Sequence, residues 1–148
     1  MIDLEKIILD YKNQLNLGIT NGLKIEITKK YHNLIIAGMG GSVVSSYLLK
    51  QLASEISLKN QKKIFIIEDF ENNNLNQFNT KDSLLIISSY SGDTQETLTI
   101  FKEALRRKFK IIVLTNGGKL KKLANRSNLD ILEIIESPSP RYSSFYLL

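Results

Sequence analysis

The hydroxyls of Ser88, Ser89, Ser91 and Thr94 fall within seven residues, around Gly92, and directly follow the apolar run Leu84-Leu85-Ile86-Ile87. A second polar turn, Gly38-Met39-Gly40-Gly41-Ser42, follows Leu34-Ile35-Ile36-Ala37. Hydroxyls and free N–H groups where a buried parallel strand enters a helix converge beside the positive end of that helix. Such a cradle binds a phosphomonoester without a lysine, and Gly92 can supply the positive φ of a tight turn. Asp93 would repel a dianion unless it points away. With Glu96 three residues on, it reads as a capping pair for the following helix. The bland alternatives are a serine-rich loop that only caps a helix and a glycine turn that only links strand to helix.

Two nucleotide-binding patterns drop out. The third glycine of a dinucleotide fingerprint would fall on Val43, and Gly118-Lys119 is followed by Leu120, with Val113 at the upstream glycine position of a P-loop. At 148 residues and 43% hydrophobic, the chain fits one core better than two. It has no cysteine, no signal-like N-terminus and no apolar run near the ~20 residues of a membrane helix. A cytoplasmic protein without membrane association is the expectation. The formal charge of +5 suits anionic ligands in general. Arg106, Arg107, Lys108 and Lys110 close a helix, where they offset its dipole, and Lys119, Lys121 and Lys122 lie on a short one. No aromatic stacking motif lies between them, so nucleic acid is not expected as a partner.

The elements that position the two turns follow from periodicity. Ile2 to Leu15 has helical spacing, and a second helical stretch is expected from Thr20 to Tyr31. Strand one is Asn33 to Ala37. A helix from Ser42 to Ser57 follows, with Val43, Leu48, Leu49, Leu52 and Ile56 inward. Strand two is Lys63 to Glu68, strand three Leu84 to Ser88, then a helix from Thr94 to Lys108, strand four Ile111 to Thr115, a short helix from Lys119 to Ala124, and strand five Asp130 to Ile135. Alternating strands and helices predict an α/β protein, a three-layer flavodoxin-like sandwich on a five-stranded parallel sheet of order 2-1-3-4-5. Ligands of such sheets sit beyond the carboxyl ends of the strands where the order reverses, between strands one and three. Both polar turns end those strands.

Taken together, Gly38 to Ser42, Ser89-Tyr90-Ser91-Gly92-Asp93-Thr94-Gln95-Glu96-Thr97, Asn116 to Leu120 and Pro140-Arg141 resemble the sugar isomerase (SIS) domain family. The likeness is to the N-terminal domain of the bifunctional phosphoglucose/phosphomannose isomerases, from about Leu34 to Arg141. It implies a helical segment over 1–32, an SIS domain over 33–137 and, over 138–148, a linker and the truncated start of a second domain. It further implies binding of a hexose 6-phosphate: Ser89, Ser91 and Thr94 on the phosphate, Gly41 and Ser42 along the sugar, and Arg141 as the catalytic group that stabilises an enediolate. From its position alone Arg141 could equally be an exposed charge after a proline-bearing loop.

Aldose–ketose isomerisation also needs a base and a ring-opening acid. In the family a glutamate, a histidine and a lysine come from a second SIS domain, the histidine across a dimer interface. The resemblance therefore implies a homodimer or pairing with a second SIS domain, a role in glycolysis and gluconeogenesis, and no metal or cofactor. This chain is expected to lack the base. His32 precedes strand one, at the end away from the site, and Glu68, Asp69 and Glu136 end strands where carboxylates are usually solvated. A non-catalytic sugar-phosphate-binding or regulatory SIS module is the competing expectation.

Overall fold

The computed structural model describes residues 5, 9–55, 63–68, 75–137, 140–143 and 146. Five parallel strands form one sheet: β1 Asn33–Gly38, β2 Lys63–Ile67, β3 Ser83–Ser89, β4 Lys110–Thr115 and β5 Asp130–Glu133. Their order is β2-β1-β3-β4-β5, as expected. The register sets Gly38 opposite Ser88, and Ser89 opposite Thr115, so the two polar turns leave adjacent strands at one level.

The central strands are apolar on both faces because both faces are covered, the rule for parallel sheets. Ile35, Ala37, Leu85, Ile87, Ile111 and Val113 pack against Leu98, Ile100, Phe101 and Ala104 of α3 (Gln95–Arg106) and Leu120 and Ala124 of α4 (Gly118–Arg126). The alternate positions Ile86, Ile112 and Leu114 of the sheet face Leu15, Gly18 and Ile19 of α1 (Tyr11–Gly22). Right-handed crossovers place α2 (Val44–Glu55), which links β1 leftward to β2, on the α1 side.

Three local expectations are corrected. No helix runs from Thr20 to Tyr31. α1 ends at Gly22, and turn bonds from Lys24 N–H to the Asn21 carbonyl and from Ile25 N–H to that of Gly22 divert the chain. Ile25 and Ile27, two apart, both line the α1 side of the sheet, an extended rather than a helical periodicity. In α2, Leu48 and Leu52 face outward while Ser45 and Ser46 are buried. The helix is entered through a 3-10 turn, Gly40–Val43, and each such residue advances the phase about 20° more than an α residue. The inward face thus departs from the one expected. β5 stops at Glu133, short of Ile135. Residues 2–4, 6–8, 56–57 and 69, which carried parts of the expected helices and one candidate carboxylate, lie outside the described residues.

Candidate functional site

The carboxyl ends of β1 and β3 are held together by contacts that leave no room for a side chain. A Cβ on Gly38 would stand 2.5 Å from the Ser88 carbonyl oxygen. Above that point Ser42, buried at the first turn, accepts a hydrogen bond on Oγ from the Tyr90 N–H at 3.2 Å. One side chain of the first turn thereby fixes the backbone of the second.

The second turn is braced internally. Ser89, buried, accepts from the Gly92 N–H at 3.2 Å and donates to Thr94 Oγ1 at 3.3 Å. Ser91 is exposed, and its Oγ accepts from the Asp93 N–H at 3.3 Å. Gly92 has φ +70°, and a Cβ there would come within 1.9 Å of the Gly117 carbonyl oxygen, so the turn after β3 lies directly on the turn after β4. Two further bonds seal that contact: Asn116 N–H to the Tyr90 carbonyl at 3.0 Å, and Leu120 N–H to the Gly92 carbonyl at 2.9 Å.

Asp93 does not cap α3. Its Oδ1 accepts from the Lys119 N–H at 3.1 Å, in the first turn of α4, and so corrects the expected Asp93–Glu96 pair. Close approach of the two turns gives the carboxylate a nearer set of unpaired donors than its own helix offers. Thr94, at the N-cap of α3, makes no side-chain cap bond either. Among the described residues nothing bonds the N–H groups of Gln95, Glu96 and Thr97. Gln95 and Glu96 are exposed at the positive end of this 12-residue helix, in the turn that carries Ser91 and Thr94, whereas Thr97 is fully buried.

Of the expected site residues, Ser89, Ser91 and Thr94 share the turn into α3, and Gly41 and Ser42 lie in the 3-10 turn tied to it. Ser88 is separated from the other hydroxyls, because strand alternation sends it to the α1 side, where its buried Oγ has no partner. The backbone of Arg141 belongs to a 3-10 turn, Pro140–Ser143, that packs against Gly40–Val43 and so borders the first turn. Three residues of the quoted motifs take part without an expected role. Tyr90 binds Ser137 through its hydroxyl, Asn116 Nδ2 donates to the Ile134 carbonyl at 2.9 Å, and Thr97 is fully buried with an unpartnered Oγ1.

Two carboxylates near this edge are engaged, since Glu68 Oε2 accepts from the Tyr47 hydroxyl at 2.8 Å and Asp93 holds α4, while Glu136 is exposed. His32 lies before β1, as expected, where its N–H meets the Asp82 carbonyl. Among the described residues no three His, Cys, Asp or Glu side chains gather as a metal ion would need. No helix among them is long and apolar enough to cross a membrane.

No family model matches the chain. The bifunctional phosphoglucose/phosphomannose isomerase of Aquifex aeolicus (strain VF5) is 34% identical to it over 119 residues, 80% of this chain and 35% of the relative. The chain is a homologue of these isomerases. It spans about a third of the length of the curated relatives it matches. Among solved structures, a Clostridium difficile 630 protein described as a candidate phosphosugar isomerase has a TM-score of 0.73 at 16% identity, over 99% of this chain and 43% of that one. The Vibrio vulnificus NanR protein, complexed with ManNAc-6P, has a TM-score of 0.68 at 16% identity, over 99% and 57% of the two chains. At such identities the likeness is one of fold, and the fold is that of the phosphosugar isomerase (SIS) proteins. The expected resemblance and architecture are both met.

Proposed function

We propose that this chain is the sugar-phosphate-binding SIS unit of an isomerase that interconverts glucose 6-phosphate or mannose 6-phosphate with fructose 6-phosphate. One observation carries the reading: Asp93 is drawn to α4, which leaves the N-terminus of α3 uncapped beside two hydroxyls. Ser91, Thr94 and the open N–H groups of Gln95 and Glu96 then grip the phosphate, a site that needs no lysine. Ser89, with its hydroxyl spent on Gly92 and Thr94, shapes the turn rather than presenting a free donor. Gly41 and Ser42 line the sugar. Arg141, carried beside them, stabilises negative charge on the enediolate as a proton moves between C1 and C2.

Neither Asp93 nor Glu68 is free to act as that base. The family's glutamate, histidine and lysine would come from a second SIS domain paired with this one. Support for pairing comes from the nine large apolar side chains exposed among the described residues, all of them between Leu9 and Leu52. A cytoplasmic setting and a place in hexose phosphate metabolism belong to the same reading.

Thermal unfolding with and without fructose 6-phosphate tests the site. The ligand is expected to raise the midpoint, and replacing Ser91 and Thr94 together with alanine to abolish the shift. An unchanged shift in the double variant would place the ligand elsewhere. The engaged carboxylates favour a second reading, a binding or regulatory module without catalysis. Stabilisation without turnover of fructose 6-phosphate by the purified chain supports it, and turnover rules it out.

A further inference from the structure

We propose that Tyr90 is a positioning residue that holds the Arg141-bearing segment in register with the phosphate turn. This rests on the sugar-phosphate reading above. Tyr90 lies between two of the turn hydroxyls, Ser89 and Ser91, yet it faces away from a ligand role. Its Oη donates to the Ser137 carbonyl at 2.7 Å and accepts from the Ser137 N–H at 2.8 Å, so one hydroxyl satisfies both backbone groups of one residue. Its own N–H goes to Ser42 and its own carbonyl takes the Asn116 N–H. Four segments therefore meet at one residue.

Ser137 passes the constraint on. Its Oγ is 2.6 Å from the Oγ of Ser143, which is fully buried at the end of the turn Pro140–Ser143. That turn packs on Gly40–Val43. Past β5 the chain is tied to the sheet at Ile134, whose N–H meets the Thr115 carbonyl and whose carbonyl meets Asn116, and again at Tyr146, whose Oη donates to the Glu133 carbonyl at 2.6 Å. Between those two points Tyr90 holds Ser137. A phenylalanine at this position keeps the volume and removes the one hydroxyl that bonds both the N–H and the carbonyl of Ser137, which loosens the segment.

The test uses the full chain as wild type, Tyr90→Phe, Arg141→Ala and the double variant. Calorimetry is run with two probes, inorganic phosphate and 5-phosphoarabinonate, whose carboxylate puts charge where the enediolate would develop it. Tyr90→Phe is expected to weaken the phosphoarabinonate on the order of tenfold, the scale of the part-buried hydrogen bonding lost with the hydroxyl, and to leave inorganic phosphate unchanged. In the Arg141→Ala background the same change is expected to have no effect. Equal losses in both backgrounds, or equal losses for both probes, overturn the proposal. Hydrogen exchange across residues 134–146 separates this from failure of the functional reading. If wild type binds neither probe, that reading fails. Faster exchange at Ser143 and Tyr146 in Tyr90→Phe, with α3 unaltered, then still supports the tether, and unaltered exchange there removes it.

Discussion

The half of the molecule built on β3, β4, α3 and α4 differs from the half built on α1, β1, α2 and β2. In the first, helices bury their apolar faces completely: Ile100, Phe101, Ala104, Leu120 and Ala124 are all at 0% exposure. In the second, Leu23 is 81% exposed, and Val44, Tyr47, Leu48 and Leu52 form an open stripe along α2. A cavity of about 270 Å³, walled largely by aliphatic side chains, separates α1 from the sheet. The turn proposed to hold the phosphate belongs to the closed half and the turn proposed to line the sugar to the open one. Rigid placement is what an anchor for a phosphate needs, and the closed half supplies it by packing and by turns locked on one another.

The sharpest break in that contrast comes from Phe101→Ala. The ring is fully buried in the closed half, so the substitution is expected to cost about 3–5 kcal/mol, with a fall in the denaturation midpoint to match. Next comes Gly92→Ala. A side chain there meets φ +70° and a carbonyl oxygen at 1.9 Å, and the strain alone is worth about 1–3 kcal/mol. Because the turn after β3 must lift off the turn after β4, phosphate binding is expected to fall with stability. Retained affinity in a destabilised variant would show that the grip does not depend on that contact.

Asp93→Ala removes the acceptor for the Lys119 N–H and is expected to destabilise by about 1 kcal/mol, the worth of a cap. Asp93→Asn keeps an oxygen for that bond and removes a negative charge next to the proposed anion. Phosphate affinity is expected to rise in the asparagine variant, by isothermal calorimetry, with stability close to wild type. A fall in affinity would mean that the carboxylate contributes to the site.

This pair of substitutions also marks where the sequence stops being legible. The sheet order and the convergence of the two turns follow from apolar runs and strand–helix alternation, which are local patterns with global consequences. Asp93 is different. Its spacing to Glu96 reads as a cap of the helix it precedes, and only the approach of Gly92 to Gly117 reveals a closer set of donors on another helix. Tyr90 is hidden for the same reason, since its partner Ser137 is 47 residues away. A short 3-10 entry, invisible to periodicity, turns α2 about its axis and away from the face its spacing predicts. Ser88 adjoins Ser89 in sequence, whereas the pleat sends it to the opposite face.

In the open half, alanine at Leu48 or Leu52 is expected to change stability by no more than about 0.5 kcal/mol, since these side chains are already 40% and 42% exposed. A loss comparable with that of Phe101→Ala would mean the stripe is covered in solution, and sedimentation would then show a species larger than one chain.

The smallest effect belongs to Tyr47, whose hydroxyl ties α2 to Glu68 at the end of β2. The hydrogen bond to Glu68 comes first among the causes that raise its pKa above the usual 10.0, followed by burial and the charge of the carboxylate. Only the neutral phenol can donate, so the bond's contribution is fully present below the unfolded pKa. It is lost as pH rises through the higher folded value. Half-exposure of the ring keeps the effect small. A tyrosinate absorbance titration of wild type minus Tyr47→Phe isolates this ring, and Glu68→Gln is expected to move its midpoint down toward the ordinary value. An unmoved midpoint would show that α2 is not tied to β2 through this pair, leaving the open half looser still than the closed one.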